Sequence, residues 1–432
     1  MDLKPRHRLL LALPGPWPAC AQGLLREGAA WLHTGQARPG DPGGDLLVLP
    51  GGPVLDSRWE AGAWTTALDG ATLAGSPWEA LASVLGQGPW VGAATFELAC
   101  WEAGLPFQDP GTGALGMRWQ AARVAIRVQE GRAELWSWDP AAPDPAPVLA
   151  RLGSACALAR ASGALSPRWG PDRHRAAVEA IQRGIHDGAF YVANLCVPFE
   201  GPFEGDAVTL ALSALRRARP PYGAFLDLGG PRLLCLSMER LLARRGERLW
   251  TEPIKGSAPL AGDPATDAAA GATLRADPKE RAEHSMIVDL LRNDLGRAAA
   301  VGTVAVERLM ELEPYPTVQH LVSRVAARAR PGLTLPDLLR AMLPGGSVTG
   351  APKRAVCAHL AGAEAGPRGF YCGALGWIGA DGDLDLSLPI RTARIDGPRL
   401  TYWAGGGITR LSDPAKEWEE LLLKTRALTQ AL

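Results

Sequence analysis

Apolar positions in the first third of the chain come in short runs. From Leu9 to about Trp138, stretches such as LLVLP are interrupted by glycine and proline, which predicts mixed strands and turns. DPAAPDPAPV, from Asp139 to Val148, breaks the pattern and reads as a linker. Asp172 to Asp187 follows as a predicted helix with Asp172 as its N-cap candidate. From Ala189 to Leu432 strands alternate with helices: LLCLSMERLLARR and RLWTEPIKGS read as strand segments, KERAEHSMIVDLLRNDL and PAKEWEELLLKTRALTQ as helices.

Composition narrows the classes that fit. A hydrophobic fraction of 47% over 432 residues is enough for a large core, and 45 basic residues balance 45 acidic ones, so no global field draws the chain to nucleic acid or an anionic membrane. The 15 tryptophans are scattered, form no repeat and read mostly as core. Seven cysteines without a CxxC pair argue against structural zinc and a disulfide framework and point to a reducing, cytoplasmic setting. Lys4, Arg6 and Arg8 before LLLALPGPWPACA imitate a secretory leader, but Pro14, Pro16 and Pro18 break the helix a leader needs; a first strand and turn is the expectation. No later stretch is apolar enough to span a bilayer.

Candidate chemistry concentrates in the second half. Glu280 and Glu283 share one helical face, with Ile287, Leu290 and Leu291 forming an apolar side; Glu417, Glu420 and Lys424 share a face of the last helix. Carboxylates from two helices are the hard oxygen ligands magnesium accepts, although the same spacing also describes solvated helix charges. PGGSVTGAPK, Pro344 to Lys353, is a turn cluster able to expose backbone N–H groups to an anion, reinforced by a helix starting at Pro352. Gly405 to Gly407 offer a second close backbone approach, and an ordinary tight turn explains either segment equally well. Neither matches GxxxxGK[ST] or GxGxxG, so nucleotide binding has little support. Lys255, in the strand-like TEPIKGSAP, is either a desolvated nucleophile or a solvent-facing lysine. Arg391, in LPIRTARI, either clamps a carboxylate or faces solvent.

Taken in order, SMER, TEPIKGS, KERAEHSMIVDLLRNDLGR, ELEPYPTVQHLVS, PGGSVTGAPK, RGFYCGALGW, LPIRT, AGGGI and SDPAKEWEELLLK resemble the chorismate-binding enzymes. That family includes anthranilate synthase component I, aminodeoxychorismate synthase component I, and the isochorismate and salicylate synthases. The resemblance runs from about Ala189 to the end and is looser at PWVGAATFELACWEAGLPF. It implies an α+β layered fold with two large, mostly antiparallel sheets face to face and helices outside, residues 1–150 forming an N-terminal subdomain and 165–432 the catalytic region. A chain so mixed fits one interlocked core better than two detachable domains.

The resemblance also implies roles. Glu283 and Glu420 align with magnesium ligands, Glu280 and Glu417 with carboxylates acting through water. Arg391, Tyr371, Lys424 and Gly405, Gly406 and Gly407 align with the grip on substrate carboxylates, and Ser347 and Thr349 with the pocket wall. His320 falls at a ring-side histidine, and Glu239 at an acidic position near the reacting ring, with Arg240 structural. Lys255 points to the aminodeoxychorismate branch, which carries PIKGT where anthranilate synthases carry PIAGT; here the segment is PIKGS. Water-activating members need a lysine where Val192 stands. Ala189 and Val192 replace the family's usual Asp and Gln, and Glu252 adds a carboxylate near Lys255.

The implied reaction is amination of chorismate at carbon four, for 4-aminobenzoate and folate synthesis. Magnesium holds the ring carboxylate, Lys255 attacks, and Glu239, or less favourably Glu252, protonates the departing hydroxyl. No glutaminase-like Cys/His/Glu set is present, so ammonia is expected from a separate glutamine amidotransferase subunit. The alternatives are anthranilate synthase component I and a non-catalytic chorismate or tryptophan sensor.

Overall fold

A computed structural model describes residues 3–35, 43–153, 161–316 and 318–432. Strands whose side chains alternate between inside and outside need two different environments, and Val54–Glu60 shows the rule: Leu55, Ser57 and Trp59 are buried while Arg58 and Glu60 are exposed. Every strand pairing among the described residues is antiparallel, and the strands form two large sheets.

The first sheet runs from His7–Leu11 through Arg132–Ser137, Val124–Gln129, Asp45–Val48 and Ala30–His33. It continues through Tyr222–Asp227, Arg232–Ser237, Thr392–Asp396, Arg399–Ile408 and Val192–Glu204. The second runs from Ile254–Pro259 through Val318–Arg328, Arg248–Glu252, Arg240–Arg245, Leu384–Ser387 and Ala374–Ile378. Trp90–Ala94, Leu115–Ala121, Val54–Glu60, Ala63–Leu68 and Ala71–Leu73 extend it, and Ala305–Pro314 pairs with Val318–Arg328 off this path. Each sheet therefore takes strands from both sides of Asp139–Val148. Leu32, Leu46, Val48 and Leu226 of the first sheet meet Val91, Ala93, Leu375 and Trp377 of the second in one apolar cluster, which is the face-to-face contact. The expected α+β architecture is the observed one.

Two local expectations need correcting. The helix after the linker-like stretch is Pro171–His186 and its N-cap is Gly170. Proline takes the first helical position, where its missing N–H costs nothing, and pushes Asp172 into the first turn beside Arg175. The linker-like stretch itself ends in a short helix, Ala146–Arg151. Asp144 Oδ1 accepts its first N–H at 2.9 Å, and Val148 is buried in the core.

The site-bearing helices are Pro278–Gly296 and Pro414–Thr429, each with proline just inside and aspartate as N-cap, Asp277 and Asp413. The first buries His284, Ile287, Val288, Leu291 and Leu295 on one face, while Leu290 lies against Gly346. Six cysteines are buried free thiols; Cys156 lies outside the described residues. Among the described residues no helix is long and apolar enough to cross a membrane.

Candidate active site

Pro253 separates two strands that the sequence runs together. Glu252 closes one, Arg248–Glu252, and Lys255 is the second residue of the next, Ile254–Pro259. Pairing of this second strand with Val318–Arg328 slips between Lys255 and Ser257, with Gly256 at φ +80° in the slip. A Cβ at Gly256 would stand 3.1 Å from Glu280 Oε2, so glycine lets the strand lie against the acid-bearing helix. His284 Nδ1 donates to the Lys255 carbonyl at 3.3 Å, and Ser323 Oγ donates to Nε2 at 2.7 Å. Burial pushes the His284 imidazole down to about 4, so the ring is neutral and this donor–acceptor order holds at neutral pH.

The Lys255 side chain then crosses toward the other sheet. A Cβ at Gly407 would lie 3.0 Å from Lys255 Nζ and 3.9 Å from Val192 Cγ2; one at Gly406 would lie 3.2 Å from Glu417 Oε2 and 3.7 Å from Lys424 Nζ. Only bare backbone leaves room there. Gly405 is equally tight, its absent Cβ 2.6 Å from Cys196 Sγ on the paired strand.

Four carboxylates from the two helices surround this point. Burial raises Glu283, Glu280 and Glu417 above the ordinary carboxylate value, whereas the Lys424 ammonium, 2.8 Å away, holds Glu420 below it. Lys255 is an electrostatic partner of Glu280, Glu283 and Glu420. Lys424 Nζ also donates to the Gly405 carbonyl at 2.7 Å. Glu283 Oε1 is buried with no hydrogen-bond partner. Among the described residues no three His, Cys, Asp or Glu side chains converge closely enough to hold a metal alone. An orphaned carboxylate oxygen within a cluster of desolvated acids nevertheless suits magnesium, which takes one or two protein carboxylates and completes its shell with water and ligand oxygens.

Arg391 forms the other end. It sits at φ +52°, a conformation costing about 1–3 kcal/mol for a non-glycine residue, and the Leu236 N–H donates to its carbonyl at 3.1 Å. Burial lowers its guanidinium from the ordinary value, and no ion pair or side-chain hydrogen bond to it occurs among the described residues. A half-buried arginine on a strained backbone, with no acidic partner, is able to take a carboxylate bidentately. Tyr315 and Tyr402 are its electrostatic neighbours; Tyr315 lies 5.7 Å from the His320 ring, and His320 Nδ1 shares a 2.7 Å hydrogen bond with Ser257 Oγ. Tyr371 is buried and stacks on Trp403 at 6.2 Å.

Ser347 Oγ donates to Glu239 Oε1 at 2.5 Å, tying the glycine-rich turn to the bend between Arg232–Ser237 and Arg240–Arg245. Thr349 turns inward, its Oγ1 donating to Gly345 O at 2.9 Å, and is fully buried. Glu252 stands apart. Its side chain is 0% exposed, with Oε2 accepting from Arg240 at 2.6 Å and Oε1 from Arg324 at 2.7 Å, while Arg240 also pairs with Asp385 at 2.9 Å. Both oxygens are committed to arginine, not to Lys255.

Two neighbours of the site were not singled out from the sequence. His284 falls on the Glu280 face at i+4, a signal that was available. Lys279 Nζ lies 3.8 Å from Glu283 Oε1 and 3.9 Å from Glu417 Oε1; nothing in the sequence marks it from other helix lysines.

Residues 151–430 match the chorismate binding enzyme family. Aminodeoxychorismate synthase component 1 of Klebsiella aerogenes is 38% identical over 70% of this chain and 67% of its own length. Aminodeoxychorismate synthase of Streptomyces pristinaespiralis is 44% identical over 60% of this chain but only 36% of its own length, so this chain spans about a third of that relative. Anthranilate synthase component 1 of Streptomyces coelicolor is 44% identical over 50% of this chain and 43% of its own length. The solved anthranilate synthase component I of Streptococcus pneumoniae superposes with a TM-score of 0.77 at 26% identity, covering 89% of this chain and 91% of that one.

Proposed function

We propose, for a chain that belongs to the chorismate-binding enzyme family, that it is the component of an aminodeoxychorismate synthase that converts chorismate and ammonia to 4-amino-4-deoxychorismate. The observation that carries this reading is the place of Lys255, whose Nζ reaches the bare backbone of Gly407 among four carboxylates. Residues 165–432 supply the chemistry, and 1–150 complete both sheets around it.

Arg391 takes one substrate carboxylate bidentately, with Lys424 and the Gly405–Gly407 backbone at the other end of the ligand. Glu283 and Glu420 would hold magnesium, with Glu280 and Glu417 acting through water, and the ion would supply a counter-charge to the ring carboxylate. Lys255 Nζ, once it has given up its proton, adds to ring carbon two, the two ring double bonds shift, and the hydroxyl at carbon four departs with a proton from Glu239. Ammonia then adds at carbon four, the two double bonds shift back, and the Lys255–carbon bond breaks as the proton ammonia loses goes to the departing amine. Glu239, held by Ser347, is the acid in this reading; Glu252, bound by two arginines, is a strut. His320 and Tyr371 line the ring. Ammonia comes from a glutamine amidotransferase, consistent with relatives named as component 1. The product feeds 4-aminobenzoate and folate synthesis, and the buried free thiols suit the cytoplasm.

Anthranilate synthase relatives at similar identity support the competing reading, amination at carbon two with loss of pyruvate. Lys255→Ala and Lys255→Arg decide between them. The alanine variant is expected to lose at least about 1,000-fold of 4-amination while still binding chorismate, and intact-protein mass spectrometry should show a substrate adduct on wild type, without ammonia, that the variant lacks. Arginine keeps the charge but is too basic to attack. A Lys255→Arg enzyme that still makes the 4-amino product would remove the covalent step; 2-aminobenzoate from wild type would replace the assignment.

A further inference from the structure

Lys279 is the member of the acid cluster that the proposed reaction leaves unused. It is held differently from the other two lysines. Lys424 is fixed by a carbonyl and a carboxylate at 2.7 and 2.8 Å, and Lys255 is enclosed at Gly407. Lys279 makes only the two long contacts, 3.8 Å to Glu283 on its own helix and 3.9 Å to Glu417 on the other, with a side chain 41% exposed. Yet it is an electrostatic partner of all four acids. Its backbone is pinned, because Asp277 Oδ1 accepts the Lys279 N–H at 2.8 Å, so the side chain alone is free to swing.

Charge bookkeeping gives this lysine a role. Three lysines face four carboxylates, a surplus of one negative charge. A divalent ion entering beside Lys279 would leave the site positive by one; an ion that expels Lys279 to solvent leaves it neutral. Glu283 Oε1, the nearer of the two oxygens Lys279 addresses, is also the buried oxygen without a hydrogen bond. We propose that Lys279 is a tethered counter-ion that bridges the two helices when no metal is present and is displaced by the divalent cation, so that metal binding and release of Lys279 are coupled. This rests on the reading of Glu283 and Glu420 as metal-holding residues. The lysine keeps the empty cluster from splaying by self-repulsion and weakens metal affinity in return.

Manganese titration followed by electron paramagnetic resonance reads metal binding without turnover. Lys279→Met is expected to bind manganese at least about fivefold tighter than wild type, the lower end of ordinary coupling between sites, and Lys279→Arg to bind like wild type. Coupling is reciprocal, so saturating manganese should raise acetylation of Lys279 by an amine-reactive ester, quantified by peptide mass spectrometry. A half-exposed first-turn lysine tolerates the change, and circular dichroism checks the fold. Glu283→Gln separates the two layers of the argument. If it abolishes manganese binding while Lys279→Met binds no tighter than wild type, the counter-ion role is overturned and the metal assignment stands. If Glu283→Gln binds like wild type, or wild type and Lys279→Met both fail to bind, the metal assignment falls and the inference with it.

Discussion

Glu252 and Lys255 are neighbours along the chain that end in opposite electrostatic worlds. Around Glu252 every charge has been answered: Arg240 and Arg324 take its two oxygens, Asp385 takes the far side of Arg240, and Arg240 lies over the Tyr222 and Trp250 rings at 5.1 and 5.4 Å. Around Lys255 the charges stay open, with three acids raised by burial, one carboxylate oxygen unbonded and one half-buried arginine without an anion. A buried ion pair whose groups satisfy each other holds shape but has nothing left for a ligand. The second cluster keeps charges that a ligand could still answer. The charges a fold leaves unpaired say more about function than those it buries most deeply.

Removing Glu252 is the harshest test of this contrast. Glu252→Ala leaves two arginines facing each other in the interior and is expected to cost about 3–5 kcal/mol, read from urea unfolding. A loss below about 1 kcal/mol would break the distinction. Glu283→Gln should behave in the opposite way. The rate is expected to fall about 100-fold, worth about 2.7 kcal/mol, while thermal stability holds or rises, because a desolvated charge has been removed. A variant that unfolds before it loses activity would place Glu283 with Glu252.

The pH dependence sharpens the same point. A carboxyl whose folded value is raised favours the fold when protonated; its contribution is complete below the unfolded value, near 4.5, and is lost as pH rises through the folded value. Glu283→Gln should therefore flatten the decline of stability with rising pH just above 4.5, measured by unfolding at several pH values. The smallest effect is expected at Arg391. Arg391→Lys keeps a charge but loses the two-pronged grip, raising KM for chorismate about tenfold, or ~1.4 kcal/mol, with kcat much less affected. An unchanged KM would mean that the open arginine does not face substrate.

Much of this was legible in the residues. Periodicity placed the two acid-bearing helices, and the ordered motifs carried the fold and singled out Lys255. What stayed hidden depends on contacts far apart in sequence. Arg324 reaches Glu252 across 72 positions and Asp385 reaches Arg240 across 145, and no local pattern shows that Glu252 will be enclosed by two arginines. The slip at Gly256 that lays a strand against Glu280 is a property of pairing rather than of spelling. The first-turn position of Asp172 was misread because Asp is a good cap in general, and Pro171 had a stronger claim to the first helical position.

The weave of the two sheets has a consequence for how the molecule comes into being. Ala374–Ile378 and Leu384–Ser387 join Trp90–Ala94 to Arg240–Arg245, and Thr392–Asp396 with Arg399–Ile408 joins Arg232–Ser237 to Val192–Glu204. A growing polypeptide thus holds four raw sheet edges until residues near 374–408 leave the ribosome. Partners that far apart make assembly slow, and open edges invite pairing with other chains. Lys255 can therefore meet Gly407 only once the strand Arg399–Ile408 has been made.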